Sequence, residues 1–335
     1  MLISPAVLAL NGAGVIVTLL LLLAASYALQ VLRHWDITSG SERQLGLERR
    51  TYLISILVAW CFVAEILSLL LFVYNAEQLS SQFVGAMCAT GVLNAGPWGW
   101  PALFLKIGVF FAGAAWLSLN RIDNRSPDYP LVRVKYGLLL AIVPLAALAA
   151  TAQWLFFLGL DPDVITSCCG ALFTPQGDGV AAEVAGLDPA ASLVAMYLSG
   201  LALLIGGTRY RLQRRGGGLF ALLGGGAFAI ALAAIVSCVA LYVYEHPHHH
   251  CPFCLLKSGH GFTGYWLYVP LFSATALALS VGLMERWRRL PALTAVIDSE
   301  GRRLAAASLL LFALFYAVAT YLVVDSRLTM AGVWW

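Results

Sequence analysis

The sequence predicts an all-α integral membrane protein of about eight transmembrane helices, and three observations carry that expectation. First, 61% of the residues are hydrophobic and 11% are charged, against roughly 25% charged in an ordinary soluble domain, so water is not the main solvent of this chain. Second, its apolar runs are long enough to cross about 30 Å of hydrocarbon, which takes roughly 20 residues at helical rise. Third, the basic residues concentrate in alternate connections, the pattern of successive spans crossing one bilayer. A spanning β-barrel would instead show segments of about ten residues with alternating polarity, and these are absent from the sequence.

The spans read as residues 5–32, 51–74, 101–120, 136–160, 190–208, 217–244, 263–285 and 304–324. The first has no basic residue before it, exceeds the length of a signal h-region and is followed by Arg33, so it reads as a retained helix. The connections after the first, third, fifth and seventh spans hold 17 of the 20 Lys and Arg residues. The positive-inside rule makes that side cytoplasmic and puts both termini outside. Only Lys106, Lys257 and Arg327 fall towards the outer face. One missed or extra span would scramble this alternation, so the charges also check the helix count.

The remaining connections, residues 75–100, 161–189 and 245–262, are then external and hold five of the seven cysteines: Cys88, Cys168, Cys169, Cys251 and Cys254. Cys61 and Cys238 fall inside spans, where a thiol serves as a small apolar filler. Five of the six histidines share the last external loop. No histidine lies within a predicted span, so haem held between helices is not expected. Neither Cys-x-x-Cys-His nor a Gly-x-x-x-x-Gly-Lys-Ser/Thr phosphate loop occurs, which disfavours covalent haem and direct nucleotide hydrolysis.

The run from Glu245 through His246, Pro247, His248, His249, His250, Cys251, Pro252 and Phe253 to Cys254 admits three readings. As a redox pair, Cys251 and Cys254 sit three residues apart at the start of the seventh helix, where free N–H groups and the helix dipole favour thiolate. As a metal site, His248, His249, His250, Cys251 and Cys254 supply the soft and borderline ligands that suit zinc or copper(I). As plain structure, the two cysteines close a small disulfide and the histidines are a solvated tract. Adjacent Cys168 and Cys169 join only through a strained ring, which is easily reduced. In an oxidising compartment five external thiols cannot all pair within one chain.

Glu65 lies inside the second span and Lys106 one to two turns into the third. Ionisable residues at such depth cost a few kcal/mol and usually face a partner or a wet cavity. The two are expected to pair or to flank a small cavity beneath the thiols, with Glu65 as a proton carrier and Lys106 beside a bound cofactor. Alternatively, Lys106 snorkels outward.

Cutting the chain between the fourth and fifth spans gives two halves, residues 1–160 and 190–335, joined by the external loop 161–189. Each half runs helix, basic link, helix, external cysteine loop, helix, basic link, helix, so any duplication is parallel. The segments Gly96-Pro97-Trp98-Gly99-Trp100 and Gly261-Phe262-Thr263-Gly264-Tyr265 echo one another at the two corresponding positions. The loop 161–189, with five acidic residues, four glycines and three prolines, shows no obvious helix or strand, a composition suited to mobility.

An external Cys251-Pro252-Phe253-Cys254 leading into a helix of a small bundle, with further external cysteines, resembles the plan of the quinone-coupled membrane thiol oxidoreductases, the DsbB and vitamin K epoxide reductase families. That resemblance implies a thiol pair beside a quinone, passing electrons between the membrane pool and a loop or partner thiol pair. The chain departs from the plan in its eight spans, its histidine tract and its vicinal Cys168 and Cys169. The first expected function is therefore a membrane thiol-disulfide or electron relay. It would use Cys251, Cys254, Cys168 and Cys169 with Glu65 as a proton route, draw on a quinone, and serve a periplasmic thiol protein. The second is copper or zinc binding and delivery through the His/Cys loop, with Cys88 and the vicinal pair as further sites; the absence of a polar ladder reaching the cytoplasm speaks against transport. The third is a non-catalytic subunit docking other membrane subunits through residues 91–100. No nucleic acid partner is expected. A bacterial inner membrane with the cysteine loops in the periplasm fits all three.

Overall fold

A computed structural model describes residues 4–126, 128–161, 163–166, 172–175, 177 and 179–328. Cys168 and Cys169 lie outside the described residues. Among those described there is no strand, and eight helices are long and apolar enough to cross a membrane. The chain is an all-helical, polytopic integral membrane protein, as its composition requires.

In chain order the helices are α1 (Pro5–His34), α2 (Glu42–Leu79), the short α3 (Ala89–Asn94), α4 (Gly99–Asp123), α5 (Val132–Leu158), the short α6 (Val180–Ala185), α7 (Pro189–Gln213), α8 (Gly217–Ala234), α9 (Ala240–Tyr244), α10 (Thr263–Glu285) and α11 (Pro291–Asp325). A π-helical turn, Ile235–Val239, joins α8 to α9 within one continuous span. Local chemistry sets the ends. Proline opens α1, α7 and α11, where its missing N–H is one of the unsatisfied donors of a helix start. The Asp188 carboxylate caps α7 by accepting from the Ala191 N–H at 2.7 Å. Glu285 accepts from the N–H groups of Gly216 and Gly218, both at 2.9 Å, placing a carboxylate at the positive end of α8.

The spans match the expected ones in number and differ at their charged ends. α2 begins at Glu42, ahead of Arg43, Arg49 and Arg50, and α11 at Pro291, ahead of Arg302 and Arg303. Hydropathy marks where hydrocarbon ends, whereas hydrogen bonding carries a helix on into water, so a charged turn continues an apolar one. His34 consequently becomes the last residue of α1. Within 161–189, where no helix is expected from sequence, Val180–Ala185 forms α6.

The chain divides into two compact units. Unit 1 comprises Met1–Asn75, Gly96–Asp161 and Arg286–Glu300. In it α5 packs against both α1 and α4, around a core that includes Tyr27, Phe62, Trp116 and Tyr136. At one end of α4, Asp123 and Lys135, both fully buried, form an ion pair at 2.7 Å. The Lys135 ammonium also donates to Asn120 and Asn124, and Asp123 accepts from the Leu131 N–H. Buried Glu300 pairs with Arg121 and Arg125. These partners matter because an uncompensated buried charge costs about 3–5 kcal/mol.

Unit 2 comprises Ala76–Ala95, Pro162–Glu285 and Gly301–Trp335. There α8 packs between α7 and α10, over a core that includes Phe220, Tyr242, Leu271, Phe312 and Phe315. These units are cut differently from two sequential halves, because residues 76–95, which carry Cys88, fold with the histidine loop. The Lys257 ammonium donates to the Met87 carbonyl and the Thr166 N–H to the Val84 carbonyl. Gly85 makes the turn between them at φ +88°, and a Cβ there would stand 2.3 Å from the Thr166 carbonyl oxygen.

Candidate thiol site

Three sulfurs converge in unit 2. Cys88, Cys251 and Cys254 lie with their Sγ atoms all within 4.8 Å of one another. Cys88 and Cys251 are 3.5 Å apart, a contact rather than the roughly 2.05 Å of a disulfide. Cys88 and Cys251 are 0% exposed and Cys254 4%. The Thr90 hydroxyl lies 3.2 Å from the Cys251 sulfur.

Each thiol is held by backbone contacts that are local in sequence. Cys88 is the N-cap of α3, in extended conformation. The carboxylate of Glu77, near the end of α2, accepts from the Ala89 N–H at 2.7 Å and so fixes the first residue of that helix. Charge-assisted bonds of this kind are worth about 1.5–3 kcal/mol. Cys251 and Cys254 do not open a long helix, contrary to the sequence expectation: α10 starts at Thr263, and Cys254 begins a three-residue 3-10 turn in the loop before it. Pro247, Pro252, Gly259 and Gly261 favour turns over regular helix in this stretch, so no helix dipole promotes a thiolate there. Two tyrosines pin the loop instead. The Tyr244 hydroxyl donates to the Cys251 carbonyl at 2.5 Å and the Tyr268 hydroxyl to the Pro252 carbonyl at 2.9 Å.

The histidines divide sharply. His246 and His248 are exposed, and the His248 N–H donates to His246 Nδ1 at 3.3 Å. His249 lays its ring edge-on to Tyr244 at 4.4 Å, and His260 approaches the same ring at 4.7 Å. The Nε2 atom of His249 is buried with no hydrogen-bond partner among the described residues. His250, 5% exposed, reaches the Val236 carbonyl with Nδ1 at 3.0 Å. A carbonyl can only accept, so Nδ1 carries the proton there.

The π-turn explains why that carbonyl is available. In an α-helix the Ala240 N–H would bond to Val236; here it reaches Ile235, five residues back, and Val236 is released to His250. Single π-turns of this kind recur at functional sites. Burial pushes the imidazoles of His249, His250 and His260 below their usual pKa of 6.5. For His249 the neighbouring His246 and His250 act in the same direction, and Cys88 opposes them.

Among the described residues no histidine joins the three sulfurs within the 4.8 Å set. Of the residues expected as a ligand group, His248, His249, His250, Cys251 and Cys254, the structure brings Cys251 and Cys254 together with Cys88, and His248 faces outward. The reason is geometric, since consecutive residues in extended or turn backbone point in different directions and cannot all address one point. Glu65 and Lys106 belong to unit 1. They pair as expected, with Lys106 Nζ 3.9 Å from Glu65 Oε2. Ser68 sits between them, accepting from Lys106 at 2.9 Å and donating to Glu65 Oε2 at 3.2 Å. Lys106, at 3% exposure, stays inside the unit and does not snorkel. Glu77, Thr90, Tyr244 and Tyr268 are site residues that sequence reasoning missed. None of them has a signal in the sequence, since the contacts of Glu77, Tyr244 and Tyr268 run to a short helix or loop that no periodicity announces.

No protein-family model, curated protein or solved structure matches this chain.

Proposed function

We propose that this protein binds and hands on a soft metal ion, copper(I) or zinc, at Cys88, Cys251 and Cys254, on the periplasmic side of a bacterial inner membrane. The observation that carries this reading is the convergence of three buried sulfurs, from connections 163 residues apart, to within 4.8 Å of one another. Thiolates sharing one zinc at about 2.3 Å in tetrahedral array stand roughly 3.8 Å apart, so the observed spacing needs only small side-chain movement to close on an ion. The donor set is soft, which selects copper(I) and zinc over hard cations. The Tyr244 and Tyr268 bonds to the loop backbone are the kind of outer support that orients metal ligands.

A second reading, a thiol relay, rests on the 3.5 Å approach of Cys88 to Cys251. In it Cys88 and Cys251 lose two protons and two electrons to a membrane quinone as their disulfide forms, and a reduced partner dithiol returns them. Burial of all three sulfurs weighs against direct exchange with a protein thiol, because the attacked sulfur must be reached in line by the incoming thiolate.

Metal analysis of the purified protein, paired with a thiol count before and after mild reduction, separates the two. Metal handling predicts about one ion per chain, lost in Cys88→Ser, Cys251→Ser and Cys254→Ser, with thiols that alkylate only after chelation. A metal-free protein whose thiol count rises on reduction would sink this proposal and leave the relay, with quinone reduction as its assay.

A further inference from the structure

Unit 1 contains what the sequence did not display, a ladder of buried polar side chains along one helix face. On α2 the polar positions Thr51, Ser55, Cys61, Glu65, Ser68 and Asn75 recur at steps of three, four, six or seven residues, and all but Ser68 are at most 5% exposed. From Thr51 to Asn75 is 24 residues, about 36 Å at helical rise, more than the roughly 30 Å of hydrocarbon.

Other helices complete the rungs. Towards the start of α2, the Tyr27 hydroxyl donates to the Leu47 carbonyl at 2.6 Å and lies 2.9 Å from the Thr51 hydroxyl. The Tyr136 hydroxyl lies 3.2 Å from that of Ser55. At mid-depth stand Glu65, Ser68 and Lys106. Asn75 donates to the Ala6 carbonyl, which levels α1 with α2. Asn11, five residues further along α1, then falls between Ser68 and Asn75, where it accepts from fully buried Gln153 at 2.8 Å.

We infer that unit 1 carries a proton route across the membrane along this face of α2, with Glu65 as the group that gains and loses the proton. Hydroxyl and carboxyl groups in sequence can pass a proton by exchanging donor and acceptor roles, and amides can hold waters between them, which apolar side chains cannot do. An ionisable residue at membrane depth is expensive, and function is its default explanation, which here applies to Glu65. The one long step without a polar rung, six residues from Ser55 to Cys61, spans about 9 Å, the length of about three waters in file at roughly 2.8 Å spacing. The charged group facing Glu65 is Lys106 on α4, and the thiol of Cys61 lies one turn away on its own helix. The other buried charges of the unit, Asp123, Lys135 and Glu300, are engaged with one another or with arginines at the far end of α4. Nothing in this route depends on the thiol site.

The test is proton uptake by vesicles containing the whole protein and an enclosed pH dye, driven by an inside-negative potassium diffusion potential. Wild-type vesicles should acidify faster than protein-free ones. Glu65→Gln should lose that excess, Tyr136→Phe and Ser55→Ala should reduce it, and lipid-facing Leu67→Ala should keep it. Thermal melts in detergent check that each variant folds; if Glu65→Gln does not, Glu65→Asp and Tyr136→Phe carry the comparison. Wild-type uptake equal to that of protein-free vesicles, or full uptake in a folded Glu65→Gln protein, would overturn the inference.

Discussion

His250 illustrates how much one residue can mean in a run of like residues. In sequence it is the third of three consecutive imidazoles with nothing to set it apart; in the fold it is the partner that satisfies a carbonyl released by a π-turn. Removing it strands a buried acceptor, which costs about 1–3 kcal/mol. We therefore expect His250→Ala to accelerate amide exchange through the turn at residues 235–240 by about tenfold or more, while exposed His246→Ala and His248→Ala stay within about 0.5 kcal/mol of the parent. Equal protection in all three variants would refute the assignment. Glu65 and Lys106 were easier to find, because a charge inside an apolar run stands out in the sequence itself. Thr51, Ser55 and Tyr136 did not stand out, since hydroxyls are common in membrane helices and only their meeting on one face gives them meaning.

Among the elements, the span Gly217–Tyr244 is the most informative, because its interruption is invisible in its composition. Ile235–Val239 has neither glycine nor proline, and a regular helix is the natural expectation for it. The wide turn accommodates about one extra residue, so deleting Ser237 should restore a regular helix, leave α9 in nearly its present setting and return the Val236 carbonyl to a helical N–H. His250 would then lose the Val236 carbonyl, and the loop that carries Cys251 would lose that anchor. The expected outcome is a protein with unchanged helicity by circular dichroism and sharply reduced metal content. Retained metal binding would mean that the π-turn does not position the site. The short α3 makes the complementary point: six residues are too few to announce a helix, yet with Glu77 they place Cys88.

For the whole molecule, the charge distribution predicts the side of the membrane, and that prediction is open to direct test. Single cysteines at exposed Gly40 and Arg215 should be shielded in intact cells from a membrane-impermeant maleimide, whereas one at exposed Gly259 should react above the background of the parent chain. The reverse pattern would invert the topology and put the thiol site in the cytoplasm. The sequence by itself determined that the chain lives in a bilayer, how many times it crosses, and which residues carry chemistry worth watching. Those properties depend on hydrophobicity summed over windows and on residue type, both of which are local. Only the tertiary structure decided that Cys88 joins Cys251 and Cys254, that His248 does not, and that scattered hydroxyls of unit 1 share a face with Glu65. Those facts depend on side-chain direction and on contacts between segments as far as 163 residues apart, and distance in space is not written in local pattern.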